Sequence, residues 1–195
     1  MSTNLSKREV ASIDDLRQLV EDGYEIHESI NHLSSANDQT TLLIIGSYIP
    51  YDLHYFFQRN TKMYRRIDAS RNTNFERIRI DLDNEKNVDA NVLALIEGLK
   101  EQRIAFMDLC GATLIQSNKS SDDCIKAFVF DETLSNYLDT HKNVKIIAIS
   151  RCVEKILRKK YKEWNISYYH FFRGGQGCHT QDDDEKWVGL FNEYR

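Results

Sequence analysis

The stretch TLLIIGSYIPYD, residues 41–52, decides the fold. Four aliphatic residues in a row, Leu42–Ile45, run straight into Gly46. A strand with one wet face would alternate apolar and polar residues, so this run reads as a short strand buried on both faces. Three further runs have the same character: RIAFMDLCG (103–111), NVKIIAIS (143–150) and NISYYHFF (165–172). Helical spacing fills the gaps. VDANVLALIEGLKEQ (88–102) sets Val88, Val92, Leu95, Ile96 and Leu99 on one face. DETLSNYLDTH (131–141) opens with an acidic turn, and SRCVEKILRKKYKEW (150–164) places Ser150 as N-cap ahead of Val153, Ile156, Leu157 and Tyr161. DDDEKWVGLFNEY (182–194) begins with three aspartates that complement a helix dipole. Strands alternating with helices predict an α/β fold, a three-layer α/β/α sandwich around a central, mostly parallel four-stranded sheet.

Ahead of this core, Ile13, Leu16, Leu19 and Val20 fall three and four apart, so residues 12–35 read as helical. No repeat, low-complexity linker or Pro/Gly-rich seam interrupts the 195 residues. They are expected to form one domain, residues 1–40 as an N-terminal helical extension and 41–195 as the α/β core. The opening MSTNLSKREV is polar, so no secretory leader is expected. The longest aliphatic runs fall far short of the ~20 residues that span a bilayer. Cys110, Cys124, Cys152 and Cys178 form no CxxC pair, which leaves zinc ribbons and iron–sulfur sites without support and fits free thiols in a reducing cytoplasm.

Charge is segregated under a net value of −4. Residues 1–40 carry three basic and eight acidic side chains, residues 54–80 seven basic against two acidic, and residues 141–162 eight basic against one acidic. Such runs either form a cationic face for a polyanionic partner or are the wet sides of amphipathic helices.

In a parallel sheet, ligands bind beyond the carboxyl ends of the strands. That rule selects four loops: GSYIPYD, DLCGAT, SRC and RGGQGCH. The first contains Pro50, the chain's only proline, and leads into LHYFFQRNTKMYRRI (53–67). There Tyr48, Tyr51, Tyr55, Phe56 and Phe57 lie near Arg59, Arg65 and Arg66; such a mixture builds either an aromatic core cluster or a surface that stacks a base and holds phosphates. Asp108 ends an otherwise apolar strand, where a carboxylate must cap a helix, pair with a base or meet solvent in a cleft. SNKSSDDCI (117–125) reads as a loop feeding a helix, with Ser120 or Ser121 as cap. RGGQGCHT (173–180) lacks P-loop spacing; it is either a flexible turn or a place where Arg173 and His179 grip a phosphate.

Together these segments resemble the uracil-DNA glycosylase superfamily, in its mismatch-specific and deoxyinosine-glycosylase-like branches. GSYIP (46–50) resembles the family's G-S-x-P-type loop, and YFFQRNTKMYRRI (55–67) its YY…N.FW segment, with Met63-Tyr64 for Phe-Trp. RIAFMDL (103–109) and KSSDDCI (119–125) resemble the G-I-A-L-W-D strand and its GSxDS-like turn, and KIIAISRCVEKILRKKY (145–161) and EKWVGLF (185–191) follow in the family's order. The likeness spans about residues 40–193.

It implies a uracil-DNA glycosylase-like fold and a DNA-repair hydrolase that flips a deaminated or mispaired base, uracil, hypoxanthine or similar, into a pocket. Water would attack C1′ as the glycosidic bond breaks, with no metal or redox cofactor. By position, Gly46, Ser47, Tyr48 and Tyr51 would contact the base, Phe56 would stack on it and Asp108 would read its edge, where the uracil-specific branch has Asn. Arg59, Arg65 and Arg66 would hold the nucleic-acid backbone, and the partner would be damaged or mismatched DNA or a nucleotide, bound by a monomer with no membrane attachment.

Three positions depart from the pattern. One extra residue precedes Pro50, which makes Asp52 the nearest candidate for the catalytic group. Thr61 stands for the Asn of N.FW, and RGGQGCHT replaces a Ser-Pro-containing motif. His179 would then supply the transition-state cation, or Arg173 would clamp a phosphate in a glycosylase-fold module that binds nucleic acid or a nucleotide without cleaving it.

Overall fold

The computed structural model describes residues 8–48, 55–56, 61–84, 88–117, 124–169 and 181–195. The four apolar runs form one all-parallel sheet. Its strands are β3 (Leu42–Gly46), β4 (Ile104–Asp108), β7 (Lys145–Ala148) and β8 (Ile166–Tyr168), in the order β4-β3-β7-β8. Gly46 pairs with Asp108 in register, so the carboxyl ends of β3 and β4 finish level.

Alternation divides this sheet between two cores. Leu42, Ile44, Ile104, Phe106 and Ile147 face a layer containing α2 (Thr61–Arg71), α4 (Val88–Glu101) and α7 (Gln181–Glu193), with α3 (Phe75–Asn84) packed beside α2 and α4. Leu43, Ile45, Ala105, Met107, Ile146 and Ala148 face α5 (Glu132–Thr140) and α6 (Arg151–Lys160). The three-layer α/β/α arrangement expected from the run pattern is therefore present. Ser150 caps α6 as expected, its Oγ accepting from Val153 N–H, and Asp131, read as part of an acidic first turn, instead caps α5 by accepting from Leu134 N–H at 2.7 Å. The first turn of α3 is held from α2, where the Asp68 carboxylate accepts from the N–H groups of Phe75 and Glu76.

A second sheet lies outside the expectation. Its order is β1-β6-β5-β2, from β1 (Arg8–Val10), β6 (Ile125–Phe130), β5 (Cys110–Gln116) and β2 (Tyr24–Glu28). Three expectations are corrected by it. The helix expected over 12–35 is confined to α1 (Ile13–Arg17), capped by Ser12; Gly23, at φ +83°, turns the chain into β2. DLCGAT is not a loop, because β4 passes through Leu109 directly into β5. Residues 125–130, expected to enter a helix, form β6; the proposed caps Ser120 and Ser121 lie outside the described residues.

The segment after β2 covers the free edge of β4. Ser35 Oγ donates to Ile104 O at 2.7 Å, Ser34 Oγ to Phe106 O at 2.7 Å, and Asn31 Nδ2 to Asp108 O at 2.9 Å. Every second residue of an edge strand points its backbone polar groups outward, and here side chains satisfy those carbonyls in place of a fifth strand.

Candidate functional site at the carboxyl end of the parallel sheet

At the strand ends lie Gly46 of β3 with Ser47 after it, Asp108 of β4, Ile149 to Arg151 after β7, and Tyr168 of β8 with Tyr169 after it. Asp108 is only 2% exposed although it ends a strand. Its side chain shares the face of Ile104 and Phe106 by alternation, and its Oδ1 lies across Gly46. A Cβ built on Gly46 would come within 2.9 Å of that oxygen and 3.6 Å of Ile149. The missing side chain is what gives the carboxylate its place.

Asp108 is positioned through its backbone. Its N–H donates to Asn31 Oδ1 at 2.6 Å while its carbonyl accepts from Asn31 Nδ2, so one buried amide reads both groups. On the other side, Leu109 N–H donates to Gly46 O and Cys110 N–H to Ser47 O, which ties the end of β3 to the start of β5. No spacing in the sequence points to Asn31, since its partner is 77 residues away.

Phe56 is 7% exposed and packs on Phe106, ring centroids 6.2 Å apart and tilted by 36°. Phe106 precedes Asp108 by two residues on one face of β4, so Phe56 and Asp108 stand on the same side of the sheet. Tyr64 sets this arrangement: its ring meets Phe106 edge-on, and its hydroxyl donates to Phe56 O. Burial, ahead of the neighbouring Tyr55, holds the Tyr64 phenol well above its ordinary range and keeps the donor protonated. Leu33, Ser35, Leu95 and Leu99 join these rings around a small cavity of about 10 Å³, room for about one water.

Other expected contacts separate. Tyr48 is buried on the opposite face among Leu43 and Ile45, its ring 6.2 Å from that of His27. Arg66 is 4% exposed; its guanidinium donates twice to Asp184, at 2.8 and 2.6 Å, and lies over Trp187. Arg65 is exposed and held by Glu76, an ion pair joining α2 to α3. Tyr51, Asp52, Arg59, Arg173 and His179 lie outside the described residues. Beside the site, Arg151 stacks its guanidinium 3.8 Å above the Tyr168 ring and donates to Glu154. Among the described residues no group of three or more His, Cys, Asp and Glu could hold a metal ion.

The solution NMR structure of a candidate uracil DNA glycosylase from Methanosarcina acetivorans matches this architecture with a TM-score of 0.62, over 87% of this chain and 99% of that one. The chain has a uracil-DNA glycosylase-like fold. At 15% identity the match shows a common fold and leaves each side chain's role to the chemistry at its own position. No protein-family model matches the chain, and no curated protein matches it. No described helix is long and apolar enough to cross a membrane.

Proposed function

We propose that the protein is a DNA glycosylase-like hydrolase that removes a deaminated or mispaired base from DNA. The observation that carries this reading is the placement of Phe56, Phe106 and Asp108 on one face at the carboxyl end of a glycosylase-like sheet. A flipped base would stack on Phe56 and present its polar edge to Asp108, with Gly46 and Ser47 forming the floor. In the reaction the C1′–N bond breaks, its electron pair leaves with the base, and a water oxygen bonds to C1′ while its proton passes to a general base. Asp52 is proposed as that base and His179 as the cation that offsets charge on the leaving group. The chemistry needs no redox step.

Duplexes and single strands carrying uracil, hypoxanthine, xanthine or a thymine mismatch, treated with protein and then alkali, test the reading. Scission at the modified position of at least one substrate is expected. Intact strands throughout, with DNA still bound, would leave a binding module in its place.

A further inference from the structure

We infer that the outer face of α6 is a phosphate-contacting track for nucleic acid leading away from the strand-end site. This rests on the nucleic-acid part of the reading above and not on cleavage. Helix α6 starts at the carboxyl end of β7, at the same strand-end edge as Asp108 but on the other face of the sheet, and runs back along that layer. Its apolar stripe is already used, with Val153 and Leu157 wholly buried against the sheet. Arg151, Lys155, Arg158 and Lys159 are exposed, and the spacings of four, three and one place them on a common outer face. Arg151, Lys155 and Lys159 advance by about 6 Å per step. Evenly spaced cations on a rigid helix suit a regularly charged polymer better than a compact anion.

Several other cations among the described residues are paired. Arg65 pairs with Glu76, Arg66 with Asp184, Lys100 with Glu97, and Lys160 with Glu9, over the Phe130 ring. On the outer face of α6, Glu154 alone serves both Arg151 and Arg158, and no acidic side chain among the described residues pairs with Lys155 or Lys159. Lys162 extends the exposed positive charge beyond the helix. Lys155 and Lys159 thus stand as two exposed cations without an acidic partner among the described residues, on a helix that begins at the strand-end edge of the sheet. A membrane surface is the poorer match, because α6 has no free apolar face to insert.

Binding of the full chain to a fluorescein-labelled duplex, followed by anisotropy across a salt series, tests the track. In the Lys155→Gln/Lys159→Gln variant the slope of log affinity against log salt should become shallower by about two, since each duplex phosphate contact contributes about 0.9. Lys100→Gln, at a paired cation on α4, should keep the wild-type slope. A wild-type slope in the double variant would overturn the inference. So would the absence of salt-dependent DNA binding by the wild type, including the case in which the protein binds phosphatidylserine vesicles instead. Base release separates this from the proposed function: excision by a double variant with an unchanged slope sinks the track alone, and an α6-dependent slope without excision of any base sinks the hydrolase alone.

Discussion

Asn31 holds both backbone groups of Asp108, accepting from its N–H at 2.6 Å and donating to its carbonyl at 2.9 Å. The amide comes from the segment after β2 and joins the second sheet's connection to the end of β4. Asn31→Ala removes donor and acceptor together and leaves two buried backbone groups without them. Urea denaturation should show a loss of about 2 kcal/mol. A loss below about 0.5 kcal/mol would mean that the segment is not held through this amide.

Gly46 makes room for the Asp108 carboxylate. Gly46→Ala sets a methyl 2.9 Å from Oδ1, and the side chain rather than the paired strand should yield. Stability should fall by about 1 kcal/mol, and, with Asp108 as the proposed reading group, base release should fall by about 10²-fold because that group is displaced. Equal release rates for Gly46→Ala and wild type would separate Asp108 from the chemistry.

Tyr64 and Phe56 are expected to fail differently. Tyr64→Phe deletes the donor to Phe56 O and should lower stability by about 1 kcal/mol. Phe56→Leu keeps an apolar side chain against Phe106 but removes the stacking plane, so its main effect should be on affinity for a flipped base, about 1–3 kcal/mol. Binding to duplexes with 2′-fluoro nucleotides, which resist cleavage, reads this term without turnover.

Glu154 gives a pH dependence of known sign. The hydrogen bond from Arg151, with help from Arg158, lowers its carboxyl below the ordinary range. Its folded pKa therefore lies below the unfolded one. The stabilisation is present above the unfolded value of about 4.3 and is lost as pH falls through the folded value. Thermal unfolding of Glu154→Gln should differ from wild type at pH 7 and converge with it on acidification. A difference that grows towards low pH would contradict the assignment. Both arginines are more than half exposed, which keeps the effect within about 1 kcal/mol.

The parallel sheet was legible because each of its strands is a dense apolar run, and LLIIG, IAFMD and KIIA need neither partner nor turn to be recognised. The second sheet was not. CGATLIQ mixes small and apolar residues directly behind β4, with only Leu109 between the strands. YEIHE became a strand where Ile13, Leu16, Leu19 and Val20 suggested a longer helix; the helical spacing is real only for the first turns, and pairing with β5 decides the rest. The place of Asp108 at a strand end was legible from the apolar run before it, while its role and that of Phe56 belong to the proposed function. Tyr48, two residues beyond β3 in the same aromatic segment, could not be sorted from Phe56 by composition, because composition does not tell which face of the sheet a ring occupies. Asn31 left no local mark at all, its role being made by contact across two sheets.

The proposed function has a base bound and cut free at the Phe56–Asp108 face. Chromatography of the supernatant from duplexes carrying uracil, hypoxanthine, xanthine or a thymine mismatch measures it most directly. Free base from at least one duplex is expected, equimolar with abasic sites, together with a strong loss of release in Asp108→Ala at unchanged fold. No free base from any duplex, under conditions where the DNA is fully bound, would contradict it.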